Sequence, residues 1–447
     1  MRNVETTSKR SLINSDSRRP RSLDDPGSSA PTLTQRGRDF FRDPSGSFGS
    51  AWEQIRGWPV PVTQRWIGSV DVPLLISVLS LVCFGLLMVY SSSFIHAQAK
   101  TGDGLSFIKK QLVFAGFGMA GLVLASRIHY RRWLNWAYPV VGFVTLLLLA
   151  VMIPGVGAKV GGAQRWLRVA GINFQPGELA KFAIIFFAAA QLERKFEMLS
   201  RPAVGLLSPL LPVLPALILL LAQPDFGSTV MIGVVLFCLM FLAGVSKKVL
   251  GVAVGAAALG ATALVLIEPY RLKRLKTFLD PWSDPGGKGF QILQSLVGLH
   301  HGGISGVGLG NGKEKLLFLP EAHNDFIFAV IGEELGLLGV VGVGFTFLFF
   351  VYRGLRVSWM AYQRSLDRFA LLLGTGITLA IGLQAFVNMA VALGLLPTKG
   401  LTLPLISYGG SALVVDLFAV GVLLAIGRTA ESATDRLEPF GSSSFRK

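Results

Sequence analysis

Charge is scarce in this chain. Of its 447 residues only 15% are Asp, Glu, Lys or Arg, against about a quarter in soluble globular proteins. Hydrophobic residues make up 51%, and mean hydropathy is +0.56. That balance excludes a purely cytosolic enzyme and equally a disordered or fibrous chain. Cysteine is scarce too. Cys83 and Cys238 each lie inside an apolar run and give neither a disulfide framework nor zinc spacing. No basic helix interleaves with aromatics, so no nucleic-acid partner is expected. No nucleotide loop is complete. In GVGLGNGKEK (306–315), Val307 stands where GxxxxGK needs its first Gly, and Glu314 where it needs Ser or Thr. That run reads as a flexible glycine-rich loop. His300, His301 and His323 share no metal-ligand spacing, and no metal residue is assigned.

What is present is a series of long apolar blocks. A spanning helix needs about 20 apolar residues, and ten candidates occur: about 71–93, 110–126, 135–153, 177–192, 205–222, 228–244, 249–268, 324–352, 368–396 and 413–427. The fold class expected is all-α, a polytopic membrane protein. Pro209, Pro212 and Pro215 should break the fifth span. Residues 1–66 carry eleven basic and seven acidic residues and little apolar content. They read as a mostly disordered cytoplasmic tail, too long and polar for a signal peptide, with Trp52, Ile55, Trp58, Val60 and Trp66 as an interfacial belt. Residues 67–429 form the membrane domain and 430–447 a second cytoplasmic tail. Arg127, Arg131, Arg132, Arg194, Lys195, Arg201, Lys247, Lys248, Arg353, Arg356, Arg364 and Arg368 fall in alternate loops, which places both termini inside. The large outer loop 269–323, between spans seven and eight, breaks the rule with Arg271, Lys273, Arg274, Lys276, Lys288, Lys313 and Lys315. A basic outer loop suggests that it holds an anion.

Within that loop, YRLKRLKTFLDPW (270–282) is amphipathic. Leu272, Leu275 and Leu279 share one side, and Lys273, Lys276 and Asp280 a neighbouring one. Two roles fit: a solvated helix with a surface ion pair worth about 0.3–0.5 kcal/mol, or a general base held between two ammonium groups beside a phosphate patch. Arg165 lies at the outer surface after the third span. Glu178 and Lys181, spaced i, i+3, enter the fourth span on one face. They read either as an ion pair locking helices or as ligand contacts. Asp225 and Asp325 read as helix N-caps. Glu333 and Glu334 read as structural hydrogen-bonding groups, and Asp416 is a further intramembrane charge.

Taken together, GGAQRWLRVAGINFQPGELAK, QPDFGS, RLKRLKTFLDPW, GGISGVGLGNGKEKLLFLPEAHNDFIFAVIGEELGLLG and GLLPTKGLTLPLISYGGS resemble the SEDS family (shape, elongation, division and sporulation) over about residues 71–428. PTKGLTLPLISYGGS and LPEAHNDFIFAVIGEELG, with the long polar tail, are closer to its cell-division branch than to its elongation branch. Gly177, Asn324 and Ala412 depart from residues common in the family.

The resemblance implies a peptidoglycan glycosyltransferase that polymerises lipid II at the outer face of the inner membrane, at the division septum. It implies Asp280 as the catalytic carboxylate. Lys273, Lys276, Arg165, Glu178, Lys181 and Lys399 are the candidate substrate-binding residues. It implies a class B penicillin-binding protein as partner, other divisome membrane proteins as activators, and contact with membrane lipid. No cofactor is assigned, and a divalent cation bridging carboxylate and pyrophosphate would be compatible. The rival readings are a lipid II flippase, an elongation-type polymerase and a recruiting scaffold.

Overall fold

The computed structural model describes residues 70–435 apart from 161–162, 170–171, 288 and 317–321. The tail 1–66, its aromatic residues, Lys288 and residues 436–447 lie outside the described residues. Among the described residues, eight helices are long and apolar enough to cross a membrane. They are α1 (Val72–Thr101), α2 (Ser106–Arg127), α3 (Arg131–Met152), the stretch Pro202–Ala222, α8 (Lys247–Ile267), α11 (Ile327–Ser365), α12 (Arg368–Ala392) and α13 (Gly410–Asp435). Two of the ten expected spans fall short of that measure. α7 (Phe226–Leu242) is apolar but only 17 residues long. α4 (Pro176–Arg194) carries Glu178, Lys181, Glu193 and Arg194. The prolines act as expected: Pro202–Ala222 divides into α5 (Pro202–Leu210), a 3-10 turn at Leu211–Val213, and α6 (Leu214–Ala222).

α4, α12 and α13 are the centre of the bundle, buried along most of their length. α8 is the opposite, with Leu250 its one buried residue. The close crossing of α2 and α13 depends on small residues. A Cβ on Gly421 would stand 2.4 Å from the Leu122 carbonyl oxygen, so only glycine admits that approach. At the start of α1, Asp71 caps the Leu74 N–H at 3.0 Å and pairs with Arg353 of α11 at 2.8 Å. Gly427, near the end of the last span, lies beside Val357 on the same helix. The membrane domain therefore begins and ends at one face, as ten crossings require. Arg353, Arg356 and Arg364 belong to an extension of α11 rather than to a loop.

The opposite face carries two features that apolar periodicity did not announce. One is a three-stranded antiparallel sheet of β1 (Gly157–Val160), β2 (Ala163–Val169) and β3 (Ile172–Phe174), with Leu167 opposite both Gly157 and Phe174. The other is a break in α11 at Gly336, where φ is 66° and ψ −160°. The outer loop satisfies the backbone this break frees. Leu337 N–H donates to the Gly303 carbonyl (2.9 Å), Val307 N–H to Glu333 (3.0 Å) and Gly308 N–H to Glu334 (3.0 Å). Glu333 accepts from the Lys313 N–H at 2.6 Å, and Glu334 pairs with Lys315 at 2.6 Å and accepts from the Ser91 hydroxyl. The glycine-rich run is thus pinned rather than flexible, and Lys315 is neutralised inside the protein. Both glutamates have the structural role expected of them.

Candidate active site at the outer face

The segment after α8 folds as α9 (Pro269–Leu279), a 3-10 turn at Pro281–Ser283, and α10 (Phe290–Gly302). Pro269 opens α9 at a position where no N–H is needed, and Pro281 prevents it from continuing. Asp280 becomes the C-cap, exposed, with its carboxylate accepting the Trp282 N–H at 3.2 Å.

The expected clasp of Asp280 between Lys273 and Lys276 is absent. Among the described residues no basic nitrogen lies within ion-pair distance of Asp280; Lys273 reaches Asp284 instead, at 3.4 Å. The physical reason is Pro281: beyond it the chain turns, and the helical register that would align Lys276 with Asp280 ends. Lys276 is exposed. Asp284 was missed because helical spacing cannot be carried across that turn.

Arg274 Nη1 donates to the Thr398 carbonyl at 3.1 Å. The Arg271 guanidinium lies 5.5 Å from the centroid of Phe226 and donates to the Leu264 carbonyl at 3.1 Å. The two arginines, read from sequence as part of a basic loop, therefore attach α9 to the bundle.

Beside Thr398 stands Lys399, half-buried. Its Cδ lies 3.3 Å from where a Cβ on Gly227 would be, over the start of α7. Burial lowers its pKa from the ordinary lysine value, and the charge of Asp225 opposes that shift. Asp225 caps α7 through the Ser228 N–H at 3.2 Å, as expected of a residue at that position. Burial raises its pKa, and the Arg165 charge opposes the rise. Asp325 does not cap α11: the N-cap is Phe326, without a side-chain cap. Arg165 points its guanidinium at the carbonyls of Gln223 (2.9 Å) and Pro224, closing the turn before α7.

Deeper in the bundle, Lys181 Nζ lies 2.9 Å from Glu178 and 3.5 Å from Asp416, and donates to Gln384 Oε1 at 2.6 Å. All four side chains are buried. This network joins α4, α12 and α13, so Glu178 and Lys181 form the floor beneath the outer cluster. Their i, i+3 spacing revealed the pair, but no local signal reveals Asp416 and Gln384 as partners. Among the described residues no group of three or more His, Cys, Asp or Glu could hold a metal ion.

Taken together, these features define a class: a polytopic membrane protein whose outer face presents carboxylates and ammonium groups next to a peripheral, weakly packed helix. The chain belongs to the family described as "Cell cycle protein", that of FtsW, RodA and SpoVE, whose model matches residues 72–432. A "Probable peptidoglycan glycosyltransferase FtsW" of Geobacter metallireducens is 46% identical over 357 residues, covering 80% of this chain and 94% of the relative. A protein of the same description from Thioalkalivibrio sulfidiphilus is 42% identical over 368 residues, covering 82% and 92%. A solved structure described as "Structural coordination of polymerization and crosslinking by a peptidoglycan synthase complex" superimposes with a TM-score of 0.65 at 31% identity, over 84% of this chain and 100% of that one. The rod shape determining protein RodA of Thermus thermophilus gives 0.58 at 27% identity, over 84% and 99%.

Proposed function

We propose that this chain is a peptidoglycan glycosyltransferase that polymerises lipid II into glycan strands at the outer face of the cytoplasmic membrane, during septal wall synthesis. It works with a class B penicillin-binding protein and other divisome membrane proteins. The observation that carries the reading is the position of Asp280. It is an exposed carboxylate at the end of an amphipathic helix, with Lys276 one turn before it and, among the described residues, no cation in contact. Such a carboxylate is open to an incoming hydroxyl, as a general base must be.

In this reading the growing strand, linked to undecaprenyl pyrophosphate, is the donor. The 4-hydroxyl of an incoming lipid II attacks its anomeric carbon, and configuration inverts. Asp280 takes the hydroxyl proton as the new glycosidic bond forms, and the pyrophosphate departs with the electron pair of the broken bond. Lys276 and Lys399 stabilise the developing phosphate charge, joined by Lys273 when it leaves Asp284. Arg165, Glu178 and Lys181 hold the shape of the floor. The leaving group supplies the driving force, so no nucleotide is needed. One observation favours a second reading: Asp284 is the carboxylate that the structure gives a lysine partner. It would serve as base once substrate phosphate draws Lys273 away.

The test is reconstitution of the purified chain and its penicillin-binding partner with lipid II. Glycan polymer from the wild type supports the proposal. Lipid II movement across the bilayer without polymer would establish the flippase reading instead. A requirement for the elongation-type partner would move the chain to the elongation branch.

A further inference from the structure

We propose that Arg274 is a positioning residue for the reaction, holding the helix that ends in Asp280 at a fixed distance from the loop that carries Lys399. The inference rests on the function proposed above. α9 follows α8, which has a single buried residue and so supplies little support. Leu275 and Leu279 of α9 are themselves exposed, so its apolar side makes little of a core. The attachment is polar. At 100° per residue, Arg271 and Arg274 fall within 60° of each other, and so do Lys273 and Lys276, on the opposite side of the helix. Burial follows that division: both arginines are half-buried and both lysines are exposed. The helix has an anchoring face and an anion face.

The two arginines do not anchor the same thing. Arg271 holds Leu264 of the preceding helix and the ring of Phe226. Arg274 reaches the Thr398 carbonyl, one residue before Lys399. Lys399 in turn rests over Gly227 at the start of α7. A continuous path therefore runs from Asp280 through α9, Arg274, Thr398 and Lys399 to the bundle. The path matters because base and leaving-group cation must address the same sugar. A misplacement of about 1 Å can cost roughly 10²-fold in rate.

The experiment uses the full chain with its penicillin-binding partner and lipid II. Arg274→Leu is expected to lower kcat by roughly 10²-fold while KM stays within about threefold, the signature of lost transition-state geometry rather than lost substrate binding. Arg274→Lys, which retains a donor for the Thr398 carbonyl, recovers most of the rate. Full activity of Arg274→Leu overturns the inference. So does a raised KM with kcat intact, which would make Arg274 an anion contact, and so does an Arg274→Lys variant as impaired as Arg274→Leu. A second readout needs no turnover. Spin labels at Leu279 and Leu395, in a background lacking Cys83 and Cys238, should give a narrow distance distribution that broadens in Arg274→Leu; an unchanged distribution also overturns it. A wild type that makes no polymer counts against the glycosyltransferase reading, while the label distances still decide whether Arg274 holds the helix.

Discussion

Lys273 places its ammonium 3.4 Å from the carboxylate of Asp284 and leaves Asp280 to accept a hydrogen bond from its own chain, at Trp282. The Lys273 side chain is 60% exposed and that of Asp284 35%, so the pair opens easily and is worth about 0.2–1 kcal/mol. Two carboxylates four residues apart are thus different chemical objects, one paired with a cation and the other, among the described residues, with none in contact.

That difference yields the first prediction. Asp280→Asn should lower polymerisation by about 10²–10⁴-fold, the usual consequence of losing a general base. Asp284→Asn removes the exposed pair with Lys273 and should change the rate less than about fivefold. Both variants are assayed on lipid II with the partner present. If the order of the two effects is reversed, the base is Asp284.

The location of the segment is tested separately. Ser283 is exposed and follows Asp280 by three residues. Ser283→Cys, in a background without Cys83 and Cys238, should react with an impermeant thiol reagent applied from the periplasmic side. Reaction only from the cytoplasmic side would invert the topology and remove the site from its substrate.

Lys181 offers a prediction about stability. It is the one ammonium between two buried carboxylates, Glu178 and Asp416. Lys181→Met leaves both without a counter-charge and should destabilise the protein by about 3–5 kcal/mol. Adding Glu178→Gln and Asp416→Asn should restore much of that loss, because the triple variant buries no charge. Unfolding of the detergent-solubilised protein measures both; a single variant as stable as wild type would show that the network bears no load.

Much of this architecture was legible in the sequence because a bilayer imposes one demand, about 20 apolar residues per crossing. The ten blocks, the proline break at 209–215 and the Glu178–Lys181 pair all express local periodicity. What could not be read depends on contacts distant in sequence or on chain reversals. Lys273 meets Asp284 only because Pro281 ends the helix. Arg274 is an anchor only because Thr398, 124 residues away, is its acceptor. The sheet at 157–174 is built from strands of three to seven residues, too short for a pattern to stand out. The break in α11 was hidden because Gly336 lies in an apolar run that reads as uninterrupted helix.

Gly336 makes that break testable. Its positive φ is open to glycine, and a Cβ there would lie 2.4 Å from the Gly306 nitrogen and 2.5 Å from the Ile304 carbonyl oxygen. Gly336→Ala should cost about 1–3 kcal/mol for a backbone conformation that is essentially confined to glycine and in addition push the 303–308 loop away. Lower thermal stability, with faster proteolysis of the outer loop, is expected. A variant indistinguishable from wild type would mean that the helix runs straight through.

The pH dependence of the reaction should report Lys399. Burial lowers its pKa, so its ammonium is lost at a lower pH than the ~10.4 of an ordinary lysine. If that charge stabilises the departing pyrophosphate, kcat/KM for lipid II, which reflects groups in the free enzyme, should fall on the alkaline side earlier than ordinary lysine titration allows. Two substitutions fix the sign. Lys399→Arg carries a cation that does not deprotonate in a protein, so the alkaline limb should move upward or vanish. Asp225→Asn keeps a good N-cap for α7 but removes the charge that raises the lysine's pKa, so the limb should move to lower pH. An alkaline limb that stays in place in both variants would mean that Lys399 does not carry the charge the leaving group needs.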